Sequence, residues 1–267
     1  MHIKAVIILA RKQTYRERYT NKIIEAGGEA PVRKERVQRP PVNAELQQTY
    51  LEGKALLIDK PLHWTSFDVV RKLRSILQIK KIGHAGTLDP LATGLLIVCT
   101  GKFTKKINEY MAAEKEYTGT ITLGAVTPTY DLESLPEQQK NYSFITAELL
   151  QEKTKQFVGA IEQFPPIYSA IKKDGVALYE LARRGVDVEL KARSITISTF
   201  EITEINLPVV QFKVICSTGT YIRSLANDFG AALGCGGYLS SLRRTRIGEF
   251  KVEDGISMEE VENQLIS

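Results

Sequence analysis

An α+β fold is predicted for this chain by three observations: apolar runs of strand length, amphipathic stretches of helical period among them, and no regular alternation of the two such as a doubly wound sheet requires. The first run, Ala55-Leu56-Leu57-Ile58, has a buried-strand pattern. Thr65 with Asp68 three residues on forms a capping box, opening a helix with Val69, Val70, Leu73, Ile76 and Leu77 on its apolar face. A glycine-rich loop over 83–90 then passes through Gly94 into the apolar run 95–99. Further strands are predicted over 116–123, 193–202 and 209–216. Helices are predicted over 147–157, 176–184, 221–233 and 257–265, the last behind a Ser257/Glu260 pair. Order is expected to begin near Gly53, and there is no internal repeat or low-complexity tract.

A chain of 267 residues is long enough for a sizeable core without metal or disulfide staples. Its three cysteines, Cys99, Cys216 and Cys235, are far apart and form no C-x-x-C pair, which argues against a disulfide framework or a zinc site and for a reducing cytoplasm. No apolar run approaches the roughly 20 residues of a membrane span, and the run 5–10 lacks a cleavage pattern behind it. The net charge of +5 is concentrated at the front: residues 1–50 hold ten Lys/Arg against five Glu, leaving 26 of each sign in the rest. The body is therefore neutral, and any nucleic-acid footprint must be local, at clusters such as Lys80/Lys81 or Lys102/Lys105/Lys106. The first 50 residues, ending in Arg39-Pro40-Pro41, read as a basic, disordered extension or as a start assigned too early, with translation beginning near Val42 or Leu46.

Chemistry is narrowed first by what is missing: no P-loop, no G-x-G-x-x-G, no H-E-x-x-H and no G-x-S-x-G. Three histidines leave little for a metal centre. The loop at 83–90 can hold one carboxylate rigidly: Gly83 and Gly86 admit conformations closed to other residues, and Pro90 biases Asp89 toward extended backbone.

The twelve-residue string GHAGTLDPLATG, Gly83 to Gly94, resembles the signature loop of the TruB-type tRNA pseudouridine synthases. The resemblance continues in order through Leu57-Ile58-Asp59-Lys60-Pro61, Lys115-Glu116-Tyr117, Pro165-Pro166-Ile167-Tyr168-Ser169-Ala170, Leu178 to Arg183, Ser217 to Arg223 and Leu242-Arg243-Arg244-Thr245. It covers about 53–254. It implies a pseudouridine synthase fold: a central mixed, mostly antiparallel sheet flanked by helices, with a thumb insertion at about 171–192 in a catalytic domain over 51–267. The activity implied is isomerisation of one T-loop uridine of tRNA, position 55, by base flipping and an aspartate nucleophile.

The same resemblance implies roles for individual residues. Asp89 is the nucleophile, attacking either the ribose or the base of the flipped uridine. Arg223 keeps Asp89 ionised, Tyr117 stacks on the uracil, and Tyr221 and Leu242 line the pocket. His84 fits beneath the tRNA bases, and Lys60 supports the active-site backbone or a phosphate. Lys172, Lys173, Arg183 and Arg184, on the thumb, contact T-arm phosphates. No cofactor or metal is implied, and the expected partner is tRNA alone, bound by a cytoplasmic monomer with no obligate protein partner.

Two departures stand out. Thr127-Pro128-Thr129-Tyr130-Asp131 has Pro128 where many relatives carry a carboxylate, retaining only Asp131, and the chain has no room for a separate C-terminal RNA-binding domain. Two other classes compete with the synthase. A tRNA-folding chaperone without catalysis would not need the set Asp89, Tyr117, Tyr221 and Arg223, and an aspartate-nucleophile hydrolase would have a second Asp where Leu91 stands.

Overall fold

Nine strands hydrogen-bond into one sheet in the computed structural model, which describes residues 44–169, 171–173, 175–186 and 188–266. In chain order the elements begin with α1 (Ala44–Glu52), β1 (Ala55–Lys60), α2 (Ser66–Leu77), β2 (Ile82–His84) and β3 (Ala92–Thr100). A 3-10 helix over Gly101–Lys106 runs into α3 (Ile107–Ala112), then β4 (Lys115–Leu123), α4 (Ala147–Thr154) and β5 (Gly159–Gln163). A small hairpin, β6 (Lys172–Lys173) and β7 (Val176–Ala177), leads into α5 (Leu178–Arg183). The last third holds β8 (Arg193–Asn206), β9 (Val209–Cys216), α6 (Ile222–Ala232), β10 (Gly237–Ile247), β11 (Phe250–Lys251) and α7 (Met258–Ile266).

The strand order is β1-β3-β10-β4-β9-β8-β5, with β2 on β3 and β11 on β10. Every pairing is antiparallel except β10 with β3, so the sheet is mixed and mostly antiparallel, as expected. Strand β3 carries a continuous apolar run because both its faces are covered. Leu96 and Val98 pack with Ile58, Val69, Leu73 and Leu77 under α2 and α7, while Leu95, Ile97 and Cys99 pack on the other face with Ile247. A third cluster lies between α4, α6 and strands β4, β8 and β9, where Phe200 makes edge contacts to Phe157, Phe212 and Phe229 at centroid distances of 6.1, 6.1 and 5.2 Å.

Both capping boxes form. The Thr65 hydroxyl accepts from Asp68 N at 2.9 Å while Thr65 N donates to the Asp68 carboxylate at 3.0 Å, and Ser257 and Glu260 exchange equivalent bonds. Other expectations need correction. Order does not wait for Gly53, since α1 already spans Ala44–Glu52; its C-terminus lies over Gly101, where a Cβ would come within 2.1 Å of Leu51 O. The helix expected over 176–184 starts only at Leu178, because Val176 and Ala177 pair with Lys172 and Lys173. Strands β5 and β10 stand where no strand was expected. The remaining expectations for residues 1–43 lie outside the described residues.

Phe229 is fully buried at the centre of the aromatic cluster. Phe229→Ala is expected to lower the unfolding free energy by about 3 to 5 kcal/mol, read as a shifted urea midpoint at unchanged slope.

Candidate active site

The loop bearing Asp89 is fixed from both sides. Ser66, the first residue of α2, accepts from Leu88 N at 2.8 Å and donates to Leu88 O at 3.2 Å. On the far side Ala92 N donates to Asp89 O at 3.1 Å and His63 N to Pro90 O at 2.8 Å. Gly94 lets β10 come close: a Cβ there would lie 2.3 Å from Arg244 O, and φ is +100°. Backbone approach of this kind is open only to glycine.

Asp89 is about one-third exposed, and its Oδ2 lies 2.9 Å from Nε of Arg223, whose side chain is 6% exposed. The same Nε is 3.6 Å from Asp131 Oδ2, and its hydrogen is aimed squarely at neither carboxylate, so one cation sits electrostatically between two anions. The outer guanidinium nitrogens are directed: Nη1 donates to Thr129 O and Tyr168 O, and Nη2 to Tyr168 O, all at 3.2 Å. Burial pulls the Arg223 pKa down, but Asp89, Asp131 and Glu133 outweigh it and hold it above its ordinary value. Asp131 is sealed in, accepting from the Thr129 hydroxyl at 2.7 Å and Glu133 N at 2.9 Å, while Leu239 N of β10 bonds Tyr130 O beside it. Burial raises the Asp131 pKa, with Arg223 opposing.

Tyr221, which precedes α6, is clamped by the buried Gln163: its N donates to Gln163 Oε1 at 2.8 Å and its O accepts from Nε2 at 3.0 Å. Ser224 Oγ donates to Phe164 O at 2.8 Å, so the start of α6 is tied to the segment that leads from β5 toward the β6–β7 hairpin. Around these groups opens a cleft of about 380 Å³, within the roughly 300 to 1,000 Å³ of small-ligand sites. Asp89, Tyr117, Tyr221, Arg223 and Leu242 all line it.

The other expected residues fall elsewhere. His84 sits half-buried on β2, outside the lining of the cleft, with its Nδ1 buried and unpartnered and its pKa lowered by burial and by Arg244. Lys60 is completely buried, and Nζ donates to Pro61 O at 3.0 Å and Trp64 O at 2.6 Å. Of the two tasks expected of it, backbone support fits and phosphate contact does not. Arg183 and Arg184 are exposed on α5, with Arg183 over the Tyr179 ring and Arg184 3.8 Å from Glu180. Lys172 and Lys173 form β6, and their side chains lie outside the described set.

Three lining or supporting residues were not singled out from sequence. Asp131 was noted only as a remnant of a motif. Arg244, 1% exposed, donates Nε to Leu95 O at 2.8 Å and Nη2 to Gly86 O at 3.2 Å, bolting β10 to β3 and to the loop that carries Asp89. Lys115 is buried at the cleft edge, donating to Met111 O and Ala113 O, with its pKa pulled down to about 8 by burial. The sequence signal for Arg244 is its place in Arg243-Arg244-Thr245-Arg246: period-2 alternation puts it on the opposite face from Arg243, which pairs with Asp59 at 2.7 Å.

Residues 74–222 match the model of the TruB family pseudouridylate synthase N-terminal domain, and residues 223–267 that of the tRNA pseudouridylate synthase B C-terminal domain. The chain is 56% identical to a tRNA pseudouridine synthase B of Flavobacterium johnsoniae over 82% of this chain and 98% of the relative, and 51% identical to one of Phocaeicola vulgatus over 79% and 92%. Among solved structures it is similar to a chain of a Cbf5-Nop10-Gar1 complex, with a TM-score of 0.64 and 29% identity, over 87% of this chain and 62% of that one. A chain of an H/ACA RNP bound to a substrate RNA containing 2'-deoxyuridine gives a TM-score of 0.61 and 27% identity over 87% and 61%. The chain thus spans about three-fifths of the length of these solved chains.

Burial holds the Lys60 pKa at about 8, below that of a free lysine. From about pH 8 up to the ordinary lysine range the unfolded chain therefore binds more protons, and the folded state gains stability as pH rises through that window. The unfolding free energy of the wild type, measured against Lys60→Met, is expected to climb between about pH 8 and 10. A flat difference would mean that the two carbonyl contacts cancel the cost of burial.

Proposed function

The chain belongs to the TruB family of pseudouridylate synthases, isomerases of uridine in tRNA, and from this premise we propose that it acts on one T-loop uridine, position 55, with Asp89 as nucleophile. The observation that carries the assignment is a partly exposed carboxylate, ion-paired to a buried arginine, on the floor of a cleft of nucleoside size. In a duplex or stacked loop the target atoms are out of reach, so the nucleotide must swing out; unstacking costs a few kcal/mol, and stacking on Tyr117 at roughly 1 to 3 kcal/mol offsets much of it.

Within the cleft the C1′–N1 bond breaks while Asp89 holds either the sugar or the base covalently, the uracil turns, and C1′ joins C5. The C5 proton leaves and N1 gains one, so the exchange balances without oxidant, metal or cofactor. Arg223 pairs with Asp89 and orients it, Tyr221 and Leu242 flank the base, and Asp131 holds Arg223 in place. Arg183 and Arg184, with Lys172 and Lys173, contact T-arm phosphates from the β6–β7 and α5 insertion, positioning RNA without reading its sequence. His84 lies on the strand entering the catalytic loop and supports the RNA bases from there. The reading keeps to a monomer working on tRNA alone. No helix among the described residues is long and apolar enough to cross a membrane, in keeping with work on a cytoplasmic substrate.

Incubation with unmodified tRNA transcript, followed by carbodiimide-dependent primer extension, is expected to give one stop, at the T-loop uridine; stops elsewhere and none there would refute the proposed target. Asp89→Asn should abolish the signal with tRNA binding retained, and surviving turnover would remove Asp89 from the nucleophile's role. Asp131→Asn should lower kcat by about 10²-fold with little change in KM, because Arg223 loses one of the two anions that aim it.

A further inference from the structure

We propose that Lys115 is a positioning residue of the reaction: its ammonium group fastens the end of α3, and with it the Met111 wall of the cleft, to the strand that carries Tyr117. The inference rests on the functional reading above and gives a part to a buried cation that the chemistry as described leaves unused. Lys115 opens β4 and Tyr117 follows two residues on, so both side chains project from one face of the sheet. On β10 Arg244 stands opposite Tyr117 and Leu242 opposite Gly119, and Lys115, Tyr117, Leu242 and Arg244 all line the cleft.

Helix α3 needs an anchor. It has six residues, none fully buried, with Ile107 and Tyr110 packed in part against the core, which is little to hold a helix of that length in place. Its exit at Ala113 is extended, with φ −60° and ψ 152°, so no left-handed turn folds back to close the last carbonyls. Lys115 answers them instead: Nζ donates to Met111 O and, at 2.5 Å, to Ala113 O. Met111 is the residue of α3 that lines the cleft, and its side chain is exposed, so the wall it forms is placed through the backbone that Lys115 holds.

Charge is what the position uses. Lys115 is 5% exposed and no carboxylate among the described residues forms an ion pair with it, so an apolar residue would fill the space without the cost of hiding a cation. The titratable groups that face it are Arg244 from β10, which opposes its charge, and Cys216 from β9, a thiol that burial lifts to about 11 and keeps neutral; α3 faces it with carbonyls. Burial, more than Arg244, brings the Lys115 pKa down to about 8. Below that pH the bonds to α3 are charge-assisted. Above it a neutral amine holds the same carbonyls at roughly half the strength, and the wall loosens.

The test is Lys115→Met and, separately, Lys115→Gln. For each, kcat and KM of pseudouridine formation and the Kd of an unmodified T-arm stem-loop are measured between about pH 6.5 and 9.5, with urea unfolding run in parallel. At about pH 6.5 both variants are expected to raise KM and Kd about 10-fold with kcat within about 2-fold of wild type, because a loosened wall weakens ground state and transition state alike. The wild type loses this advantage as pH rises through the Lys115 pKa, so the ratio of wild-type to variant kcat/KM falls toward unity; groups that titrate elsewhere, the uridine included, act on both proteins and cancel. An unchanged KM, a loss borne by kcat alone, or a ratio constant with pH overturns the proposal, the last being what a packing role gives. Two neutral replacements keep the test decisive if one fails to fold. A wild type that binds the stem-loop but makes no pseudouridine refutes the functional reading instead, and Lys115 is then judged by the pH dependence of the Kd ratio.

Discussion

One guanidinium between two carboxylates holds this site together. A buried arginine without anions would cost several kcal/mol, and a buried Asp131 without a cation beside it would be left an uncompensated charge. Arg223 resolves both problems, and its outer nitrogens are used up on Thr129 and Tyr168 carbonyls, so the group has no freedom to turn away. The two acids are not equivalent. Asp131 is closed off with all its contacts internal, whereas Asp89 keeps one side open to the cleft. Exposure alone divides the pair into an anchor and a group open to the cleft, the one proposed as nucleophile.

What reaches this cation comes from segments far apart in sequence: the loop after β2, the 127–131 turn, the strand leading out of β5, and the start of α6. Three of the four are separately tied down, the loop by Ser66 of α2 at Leu88, the turn by β10 at Tyr130, and the start of α6 by Gln163 of β5 at Tyr221. Displacement of any one of them would be felt at Arg223 Nε. The scaffold of strands is therefore the means by which charges distant in the chain are kept within hydrogen-bonding range.

Much of this was legible in the residues. Capping chemistry at Thr65 and Ser257 is local and reads directly, and the apolar runs that became β1, β3 and β9 report burial on one or both faces. Five residues expected from the loop and its companion motifs, Asp89, Tyr117, Tyr221, Arg223 and Leu242, surround one cleft. The unread parts share a cause: tertiary partners, not local pattern, decide them. Strand β10 has paired serines and three arginines, which spoil any alternation, and it is a strand because β3 and β4 lie on either side and its arginines find Asp59, Leu95 and Glu114. Asp131 looked like a leftover because nothing in a turn sequence says that a guanidinium 92 positions away will end beside it. Lys60, expected to support either the active-site backbone or a phosphate, is buried because two carbonyls just beyond its own strand accept its ammonium.

The place of β10 also dictates when the enzyme can come into being. Its neighbours β3 and β4 are made well over a hundred residues earlier, and until β10 emerges and inserts between them both expose unpaired edges, β3 at Ala92 to Gly94 and β4 along its whole length. Contacts of such long sequence separation form slowly, and open apolar edges invite other chains. A nascent chain stalled before that strand would possess the loop that carries Asp89 and yet lack the central plank of its sheet, which is complete only once β10 has paired on both sides.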